Sequence, residues 1–326
     1  MKSLYVISKH IIYNVGGAEK SILKYINKLN YKKKILLGFN YPQKKITENL
    51  SCNVRFLNPI LKINQFYFFE YFINKLSIKK SIKDLSNDHI ISYGIYFPVV
   101  INHCNSCFKE LHIRSETDLG IFINYNSGFK YFIKMILKFL EFPFEYYYKK
   151  ELKRAILSAD RIICNSKFMQ TELLKMYGKK SKVIYPSIEI NNKGFSSSKE
   201  GIVFIGNSTI KGLNLVKKIA KKMPEHDFFI FGKNILREYK RGNIIYYPWE
   251  NDVLNIYKRA KLVIVPSQWK EAYGRVAKEA ILLNIPVIVS DIGGLKEAVD
   301  YDENKLVKNY KSIDEWIKKI QKNLLY

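Results

Sequence analysis

Short apolar runs recur along the chain, and most are followed by a glycine or polar turn and then by a helical pattern. Apolar runs of roughly four to eight residues between turn signals are typical of buried strands. Buried strands that alternate with amphipathic helices indicate doubly wound parallel sheets, so an α/β fold is predicted. The predicted strands are residues 4–8, 35–39, 90–94, 108–113, 159–166, 183–186, 202–205, 227–231, 244–247, 262–266 and 286–290.

The strand–helix units fall into two series, separated by a polar segment. Residues 191–201 are rich in Ser, Lys, Asn and Gly and poor in apolar residues, which predicts a linker. We therefore expect an N-terminal Rossmann-like domain over residues 1–190 and a C-terminal one over residues 191–311. Residues 312–326 begin with a capping Ser and predict a terminal helix, which we expect to cross back to the N-terminal domain.

The net charge is +26, from 55 Lys and Arg against 29 Asp and Glu. Such an excess first suggests a nucleic-acid partner. Only eight of the basic residues are Arg, however, and the longest basic run is the three lysines at 32–34. Nucleic-acid readers depend on the Arg fork, which matches phosphates and base edges. We therefore expect no nucleic-acid partner and keep a nucleic-acid-binding protein as an alternative.

The four cysteines are too few for a disulfide framework in a chain of this length and favour a reducing compartment. Residues 1–17 do not resemble a signal peptide, and no apolar stretch of about 18 residues predicts a membrane span. We therefore expect a cytoplasmic protein. Cys104 and Cys107 lie beside His103, but zinc needs about four ligands and no second Cys pair exists. We predict two packed thiols and no metal site.

Residues 266–280 contain the largest group of candidate functional residues. A predicted strand ends at Pro266, and a helix starts near Gly274. A helix N-terminus has free amides and partial positive charge. Since glycine allows close approach, a phosphate site is predicted here. Glu271 lies ahead of the helix and could hold sugar hydroxyls, while Glu279 lies inside it and could hold a ribose diol. Taken alone, two glutamates at this spacing are also compatible with a solvated helix.

This segment resembles the family-four retaining glycosyltransferases, whose hallmark is two glutamates separated by seven residues with an aromatic–Gly pair after the first. Glu271, Tyr273, Gly274 and Glu279 match it position by position. Residues 16–19, 158–166 and 284–297 also resemble segments of the family. The resemblance implies the GT-B fold, in which two Rossmann-like domains face each other across a cleft. It also implies that the C-terminal domain binds the nucleotide sugar and the N-terminal domain the acceptor.

The resemblance also implies residue roles. A Lys at the position of Lys211 neutralises the diphosphate leaving group in the family, assisted by an Arg a few residues earlier. That Arg is missing from residues 206–210, and Ser208, Thr209 and Arg275 are the candidate substitutes. The N-terminal glycine pair would let backbone approach phosphate or acceptor closely. The predicted catalytic residues are Glu271, His112 and Lys211, and the predicted substrate-binding residues are Gly16, Gly17, Asn207, Gly274, Arg275 and Glu279.

The family also places a His at the end of an N-domain strand, near the reacting sugar. His112 lies at a predicted strand end, where doubly wound sheets bind ligands, and is preferred to His103, nine residues earlier. Arg114, Glu116 and Asp118 follow and are candidates for contact with acceptor or phosphate.

Two stretches, residues 62–83 and 129–150, mix aromatic and aliphatic residues with lysines. In the second, Lys130, Lys134 and Lys138 recur at every fourth position, which puts a basic face beside an apolar one. Such a helix can lie in a membrane interface, and packing of its large residues in the core is the alternative. We expect peripheral contact with the inner face of an anionic membrane.

These features together predict a retaining, metal-independent glycosyltransferase of the hexosyltransferase type. It would move a sugar from a nucleotide-diphosphate sugar to a glycan or lipid-linked acceptor in cell-surface polysaccharide or glycolipid synthesis. No cofactor is expected, because neither a G-x-G-x-x-G nor a P-loop motif is present. The alternatives are a non-catalytic relative, suggested by the missing Arg, and a GT-B nucleotide-sugar epimerase.

Overall fold

A computed structural model describes residues 3–13, 17–41, 52–60, 67–85, 88–104, 106–122, 129–190, 194–250 and 252–324. For Tyr67 and residues 129–140 it describes the backbone alone. The chain divides into two compact units, Met1–Ser187 and Ile188–Tyr326. Among the described residues, none of the helices is both long enough and apolar enough to cross a bilayer.

The first unit contains a sheet in which all described strand pairs are parallel. Its strands are β1 (Leu4–Ile7), β2 (Lys34–Phe39), β3 (Asn53–Leu57), β4 (His89–Ser92), β5 (Phe108–Ile113), β6 (Arg161–Cys164) and β7 (Lys182–Val183), in the order β3-β2-β1-β4-β5-β6-β7. Its helices are α1 (Gly17–Asn27), α2 (Tyr67–Ile82), α3 (Phe97–His103), α4 (Phe129–Ser158) and α5 (Lys167–Tyr177). The strand order reverses between β1 and β4, which makes this the switch point of the sheet.

Helix α4 continues through Pro143 without a break. Proline removes one backbone hydrogen bond and normally kinks or ends a helix. Here Pro143 is exposed, so its ring displaces no core residue. The next residue, Phe144, packs edge-to-face against Phe69 and Phe72 of α2, with ring centroids 5.4 Å apart in each case. Tertiary packing therefore supports the helix on both sides of the proline.

The second unit repeats the plan of the first. Its strands are β8 (Gly201–Ile205), β9 (Phe228–Gly232), β10 (Tyr239–Arg241), β11 (Ile244–Pro248), β12 (Ala260–Val265), β13 (Val287–Ser290) and β14 (Leu306–Val307), in the order β10-β11-β9-β8-β12-β13-β14. Its helices are α6 (Leu213–Lys222), α7 (Val253–Lys258), α8 (Arg275–Leu282), α9 (Leu295–Ala298) and α10 (Ile313–Leu324). Only β10 pairs antiparallel among the described strands. The switch point lies between β8 and β12, and the prediction of two doubly wound α/β domains is confirmed.

Two apolar layers cover the faces of the second sheet, since alternate strand residues point to opposite sides. Val203 and Val263 belong to one layer, and Ile202 and Leu262 belong to the other. The second layer also contains Trp316 and Ile320 of α10, which lie one helical turn apart and are fully buried. Helix α10 thus packs on the sheet of the second unit, and the expectation that the terminal helix crosses back to the first domain stays a prediction.

Candidate active site

The carboxyl ends of β8, β12 and β13 bring three loops together at the switch point of the second sheet. These strands are adjacent and parallel. Lys211 lies in the loop after β8, Glu271 in the loop after β12, and the pair Gly293 and Gly294 in the loop after β13. Ligands of doubly wound sheets bind at this edge, so the topology brings predicted site residues to the place where a ligand is expected.

Lys211 and Glu271 form an ion pair in which Nζ lies 2.8 Å from Oε1. The Ser267 hydroxyl donates a hydrogen bond to the same carboxylate oxygen. The Glu271 side chain is 13% exposed and that of Lys211 is 38% exposed. The carboxylate is therefore held in place by two contacts, while the ammonium group remains open to solvent and to an incoming anion.

The two loops are also joined through their backbones. The amide of Gln268 donates to the carbonyl of Ile210 at 2.8 Å. Gly212 has φ +96°, and a Cβ at this position would come within 2.1 Å of the Pro266 carbonyl oxygen. Only glycine allows this approach. The position of Lys211 relative to Glu271 is thus set by backbone contacts as well as by their charges.

The glycine pair after β13 fixes the backbone around Glu271. The Gly294 amide donates to the Glu271 carbonyl at 2.7 Å. A Cβ on Gly293 would lie 2.8 Å from the Glu271 amide nitrogen, and Gly293 has φ +58°. The loop after β13 therefore packs directly on Glu271, the predicted catalytic glutamate. In the sequence, this loop was marked only by its resemblance to a segment of the family.

Helix α8 starts after Gly274, which has φ +136°. Its N-terminus thus lies a few residues beyond Glu271, as predicted. Arg275 is the first residue of α8, and its Nη2 lies 3.2 Å from Oε1 of Glu279, one turn further along. The Tyr257 hydroxyl of α7 donates to Glu279 Oε2 at 2.9 Å. Glu279 is therefore held through both of its oxygens.

Tyr257 is a site residue that the sequence analysis missed. It is fully buried, and burial, followed by the charge of Glu279, raises its pKa well above the ordinary value. The hydroxyl therefore stays protonated and acts as a donor to the carboxylate. Because the residue lies in the apolar pattern of a short helix before β12, its sequence context indicated only a core aromatic.

Asn207, a predicted binding residue, follows β8 and lies against the end of β9. A Cβ on Gly232 would come within 2.7 Å of the Asn207 Cβ. The side chain is thus at the carboxyl edge of the sheet, beside the loop that carries Lys211, where its amide could contact a ligand.

The arrangement combines an open ammonium group, an Arg, the free amides of a helix N-terminus and two anchored carboxylates. Cations and free amides favour a phosphate or diphosphate. Carboxylates accept hydrogen bonds from hydroxyl groups, such as those of a sugar. Among the described residues, no cluster of three or more His, Cys, Asp or Glu side chains is placed to hold a metal ion.

A pocket of about 380 Å³ lies at the switch point of the first sheet. Residues after β1, β4 and β5 contribute to its lining: Ser8, Lys9, His10, Tyr93, Gly94, Arg114, Ser115 and Asp118. Glu19 of α1 and Glu70 of α2 complete its charged groups. The sequence indicated Arg114 and Asp118 but missed Lys9 and His10, although both directly follow the first predicted strand.

Three charged groups of this pocket, on Lys9, Glu70 and Asp118, are held by contacts with neighbouring residues. Lys9 pairs with Glu70, and Tyr96 donates to the same Glu70 oxygen at 2.9 Å. Asp118 accepts from the amides of Arg114 and Ser115 at 2.7 and 2.8 Å. Burial raises the pKa of Asp118 while these amides oppose the shift. The pocket is polar with both signs of charge, which suits a hydroxylated ligand.

His112 is not among the residues that line this pocket. It lies within β5 rather than beyond its end and is fully buried. Its Nε2 is 2.7 Å from Glu110 Oε1, and Arg161 Nη1 lies 3.0 Å from Glu110 Oε2. Burial lowers the pKa of His112 to about 4, so the ring is neutral near pH 7. This environment gives His112 structural contacts, and its catalytic role stays a prediction.

The other N-terminal candidates are placed as follows. His103 ends α3, where its Nδ1 lies 2.8 Å from the Val99 carbonyl oxygen. Gly17 is the first residue of α1, and Gly16 lies outside the described residues. Cys104 and Cys107 are both buried free thiols, and burial raises the pKa of Cys104 to about 12, which makes it unreactive.

Comparison with known proteins shows which family this chain is similar to. A family model described as glycosyl transferases group 1 matches residues 187–325. An uncharacterized glycosyltransferase of Methanocaldococcus jannaschii is 29% identical over 178 residues, which cover 44% of this chain and 45% of that relative. An uncharacterized 41.2 kDa protein in the cps region of Klebsiella pneumoniae is 25% identical over 151 residues, 40% of this chain and 42% of that relative. The chain thus spans less than half the length of these curated relatives.

Solved structures resemble nearly the whole chain. Sucrose-phosphate synthase from Thermosynechococcus elongatus has a TM-score of 0.71 at 16% identity, covering 100% of this chain and 90% of that one. WaaG, a glycosyltransferase, has a TM-score of 0.64 at 14% identity, covering 99% and 90%. HepE of Anabaena has a TM-score of 0.64 at 15% identity, covering 99% and 92%. Residues 187–325 thus match the group 1 glycosyltransferases, and the chain has the GT-B fold.

Proposed function

We propose that the protein is a retaining glycosyltransferase of the hexosyltransferase type, which needs no metal ion and transfers a sugar from a nucleotide-diphosphate sugar. The observation that carries the proposal is the Lys211–Glu271 pair, 2.8 Å apart at the switch point of a group 1 domain. A cation that would receive the leaving group thus lies next to a carboxylate that would hold the sugar.

The second unit would bind the donor. The diphosphate would lie at the N-terminus of α8, close to Lys211 and Arg275, where fixed positive groups stabilise the charge that develops as the bond breaks. Glu271 would orient the sugar through its hydroxyl groups, and Glu279 would accept hydrogen bonds from the ribose. HepE of Anabaena has been solved in complex with UDP-glucose, which supports a nucleotide sugar as the donor class.

The first unit would bind the acceptor in its polar pocket, whose carboxylates and cations can bond sugar hydroxyls from several sides. We propose that the acceptor hydroxyl attacks from the side on which the diphosphate leaves, with a phosphate oxygen as its base. This route retains the anomeric configuration without a protein base, and it therefore does not require His112.

The acceptor class that we propose is a glycan or lipid-linked glycan of the cell surface. The relative from Klebsiella pneumoniae is named for a cps region, and WaaG is described as involved in lipopolysaccharide biosynthesis. Both names support a role in polysaccharide or glycolipid synthesis. We propose a cytoplasmic enzyme that works in peripheral contact with an anionic membrane.

A thermal-shift screen against UDP-, GDP-, ADP- and CMP-sugars tests the donor proposal. A ligand at about 100 times its Kd stabilises the folded state by about 2.7 kcal/mol, which raises the Tm by several degrees. Product analysis with donor alone then separates transfer from epimerisation, because an epimerase converts the donor without an acceptor. Absence of any shift, together with absence of product from all four donor classes, would overturn the proposal.

A further inference from the structure

The outer face of α4 carries exposed aromatic residues and lysines together. Phe142 is 65% exposed and Tyr146 is 63% exposed. Further along the helix, Lys149, Lys150, Lys153 and Leu157 are exposed as well. Large apolar side chains that stay in water on a helix surface cost free energy, unless a partner covers them. We refer to this outer face by its residues, Phe142, Tyr146, Lys149, Lys150, Lys153 and Leu157.

These residues share one side of the helix because of their spacing. Steps of three and four residues connect Phe142 to Tyr146, Tyr146 to Lys150, and Lys150 to Lys153. The opposite side is buried, with Tyr148, Leu152 and Ala155 in the interior of the first unit. The helix is therefore amphipathic in an unusual way: one side packs in the core, and the other side is aromatic and basic.

The acidic residues of this part of α4 point elsewhere. Glu141 accepts from the Phe68 amide at 3.2 Å, and Glu151 accepts from the Tyr71 hydroxyl at 2.6 Å, so both face α2. Glu145 pairs with Lys149 at 2.7 Å from the flank of the outer face. The outer face itself consequently carries three lysines and no carboxylate, and its charge is positive.

Helix α2, which covers the described part of the other aromatic and basic stretch, differs from α4 in its packing. Phe68 and Tyr71 of α2 are buried and lie against Tyr148, with ring centroids 5.4 and 4.8 Å apart. The aromatic residues of that helix are thus partly explained by the core. Phe142 and Tyr146 of α4 are exposed, so packing in the core does not explain them.

We propose that the outer face of α4 binds the surface of an anionic membrane. Phe142, Tyr146 and Leu157 would enter the boundary between headgroups and acyl chains, and the three lysines would contact lipid phosphates through their long side chains. The proposal rests on the membrane contact of the proposed function and assigns the residues that make it. It is independent of the transfer reaction.

Two other occupants fit the face less well. A second copy of the chain would place three lysines against three lysines, and like charges across an interface oppose association. Single-stranded nucleic acid prefers a groove lined by aromatic platforms and several Arg, whereas this face contains Leu157 and three lysines, with Arg154 as the one exposed Arg beside it. An anionic lipid surface satisfies both the apolar and the basic residues.

Vesicle flotation of the full chain, without nucleotide or acceptor, tests this assignment. The probes are vesicles of phosphatidylcholine alone and vesicles that contain a third phosphatidylglycerol. The double variant Lys150→Glu/Lys153→Glu should bind the anionic vesicles roughly 30-fold more weakly, since each lysine at such a surface contributes about fivefold. The matched control is Lys218→Glu/Lys221→Glu, an exposed pair with the same spacing on α6, which should bind like the wild type.

A second pair tests the apolar contribution. Phe142→Ser/Tyr146→Ser should weaken binding severalfold and leave its salt dependence unchanged, while Leu236→Ser, at a residue 93% exposed in the second unit, should have no effect. Circular dichroism of each variant shows whether it is folded. Equal losses in the test and control variants, equal binding to neutral vesicles, or full displacement by single-stranded RNA would each overturn the assignment. If all variants keep the nucleotide-sugar thermal shift, their loss of vesicle binding comes from the outer face of α4 and not from the donor site.

Discussion

Glu271 and Lys211 neutralise each other, and this contact prepares both for the proposed reaction. The carboxylate is anchored by Lys211 and by the Ser267 hydroxyl. An arriving diphosphate can share the lysine, because an ammonium group has three donors and the side chain is partly open to solvent. The pair can therefore hold the catalytic geometry before the donor binds, which reduces the ordering that binding must supply.

Replacing either partner should therefore reduce transfer strongly while the fold persists. We expect Glu271→Ala and Lys211→Ala each to lower kcat by about 100-fold or more, the usual effect of removing a group that stabilises developing charge. Partly exposed ion pairs contribute at most about 1 kcal/mol to stability, so the Tm should change little. Steady-state kinetics with the donor found in the screen measure the effect, and Lys217→Ala, at an exposed lysine of α6, is the control. Near-normal rates in both variants would refute the site assignment.

The buried His112 makes stability sensitive to acid. Its pKa is lowered to about 4 by burial, against an ordinary value of about 6.5, so the unfolded chain binds the extra proton first. The free energy of unfolding should therefore decrease by roughly 3 kcal/mol as the pH falls from above 6.5 to 4. Glu110 acts in the same direction at lower pH. Burial alone would raise its pKa, but the hydrogen bond from His112 and other polar contacts hold the pKa well below the usual range.

Urea unfolding of the wild type and of His112→Gln at pH 7.5, 6 and 5 checks this prediction. Gln can donate to Glu110 but does not titrate, so the variant should lose less stability over this range than the wild type does. The absolute stability of the variant is not the readout, because the substitution alters packing. Parallel pH profiles for the two proteins would contradict the assigned linkage.

At the scale of elements, Gly274 determines where helix α8 starts. Its φ is +136°, and a Cβ would lie 2.8 Å from Leu295 Cδ2 and 3.0 Å from the Ala298 Cβ, both of α9. Gly274→Ala should therefore destabilise the second unit by about 1–3 kcal/mol and weaken donor binding, since α8 must shift to relieve the clash. Gly242→Ala is a matched control, with φ +59° and nothing within 4 Å of its Cβ. Thermal melts and donor titrations that show equal effects for both would exclude this explanation.

The elements that the sequence predicted well are those buried on both faces. Strands β1 and β9 are continuous apolar runs, and β12 is apolar from Leu262 to its end. Such runs have few alternatives to a sheet interior. Strands β3 and β10 are mostly exposed edge strands, so no apolar run marked them. Tertiary contacts decided the remaining differences, since packing against α2 carries α4 through Pro143 and burial in β5 keeps His112 from the pocket.

The candidate site was predictable to the extent that it depends on local motifs. The segment from Pro266 to Glu279 is contiguous, and Gly274 directly precedes helix α8 where the sequence predicted a helix start. The roles of Glu271, Gly274 and Glu279 stay predictions. Contacts between distant segments were not predictable. Tyr257 reaches Glu279 from another helix, and Lys9 joins Glu70 from 61 residues away. Such pairs depend on strand order and register, which no single segment of the sequence encodes.

At the scale of the whole molecule, the two units have separate cores, and the second unit should fold alone. Both faces of its sheet are covered by its own residues. The segment before β8, part of which was predicted as a linker, packs on this unit through Ile188, Ile190 and Phe195. Within the same segment, Ser198 donates to the Lys258 carbonyl at 2.8 Å. The unit therefore begins at 188, before the first strand of its sheet.

A fragment of residues 188–326 should consequently unfold cooperatively and show the donor-induced thermal shift of the full chain, because Lys211, Glu271, Arg275 and Glu279 all lie within it. A fragment of residues 201–326 retains every strand of the second sheet but loses three partly buried apolar side chains. It should be less stable by about 2–4 kcal/mol, the transfer free energy of that surface. Urea unfolding of both fragments measures the difference. Equal stabilities would show that the segment before β8 is only a linker, and a missing donor shift in the longer fragment would place essential donor contacts in the first unit.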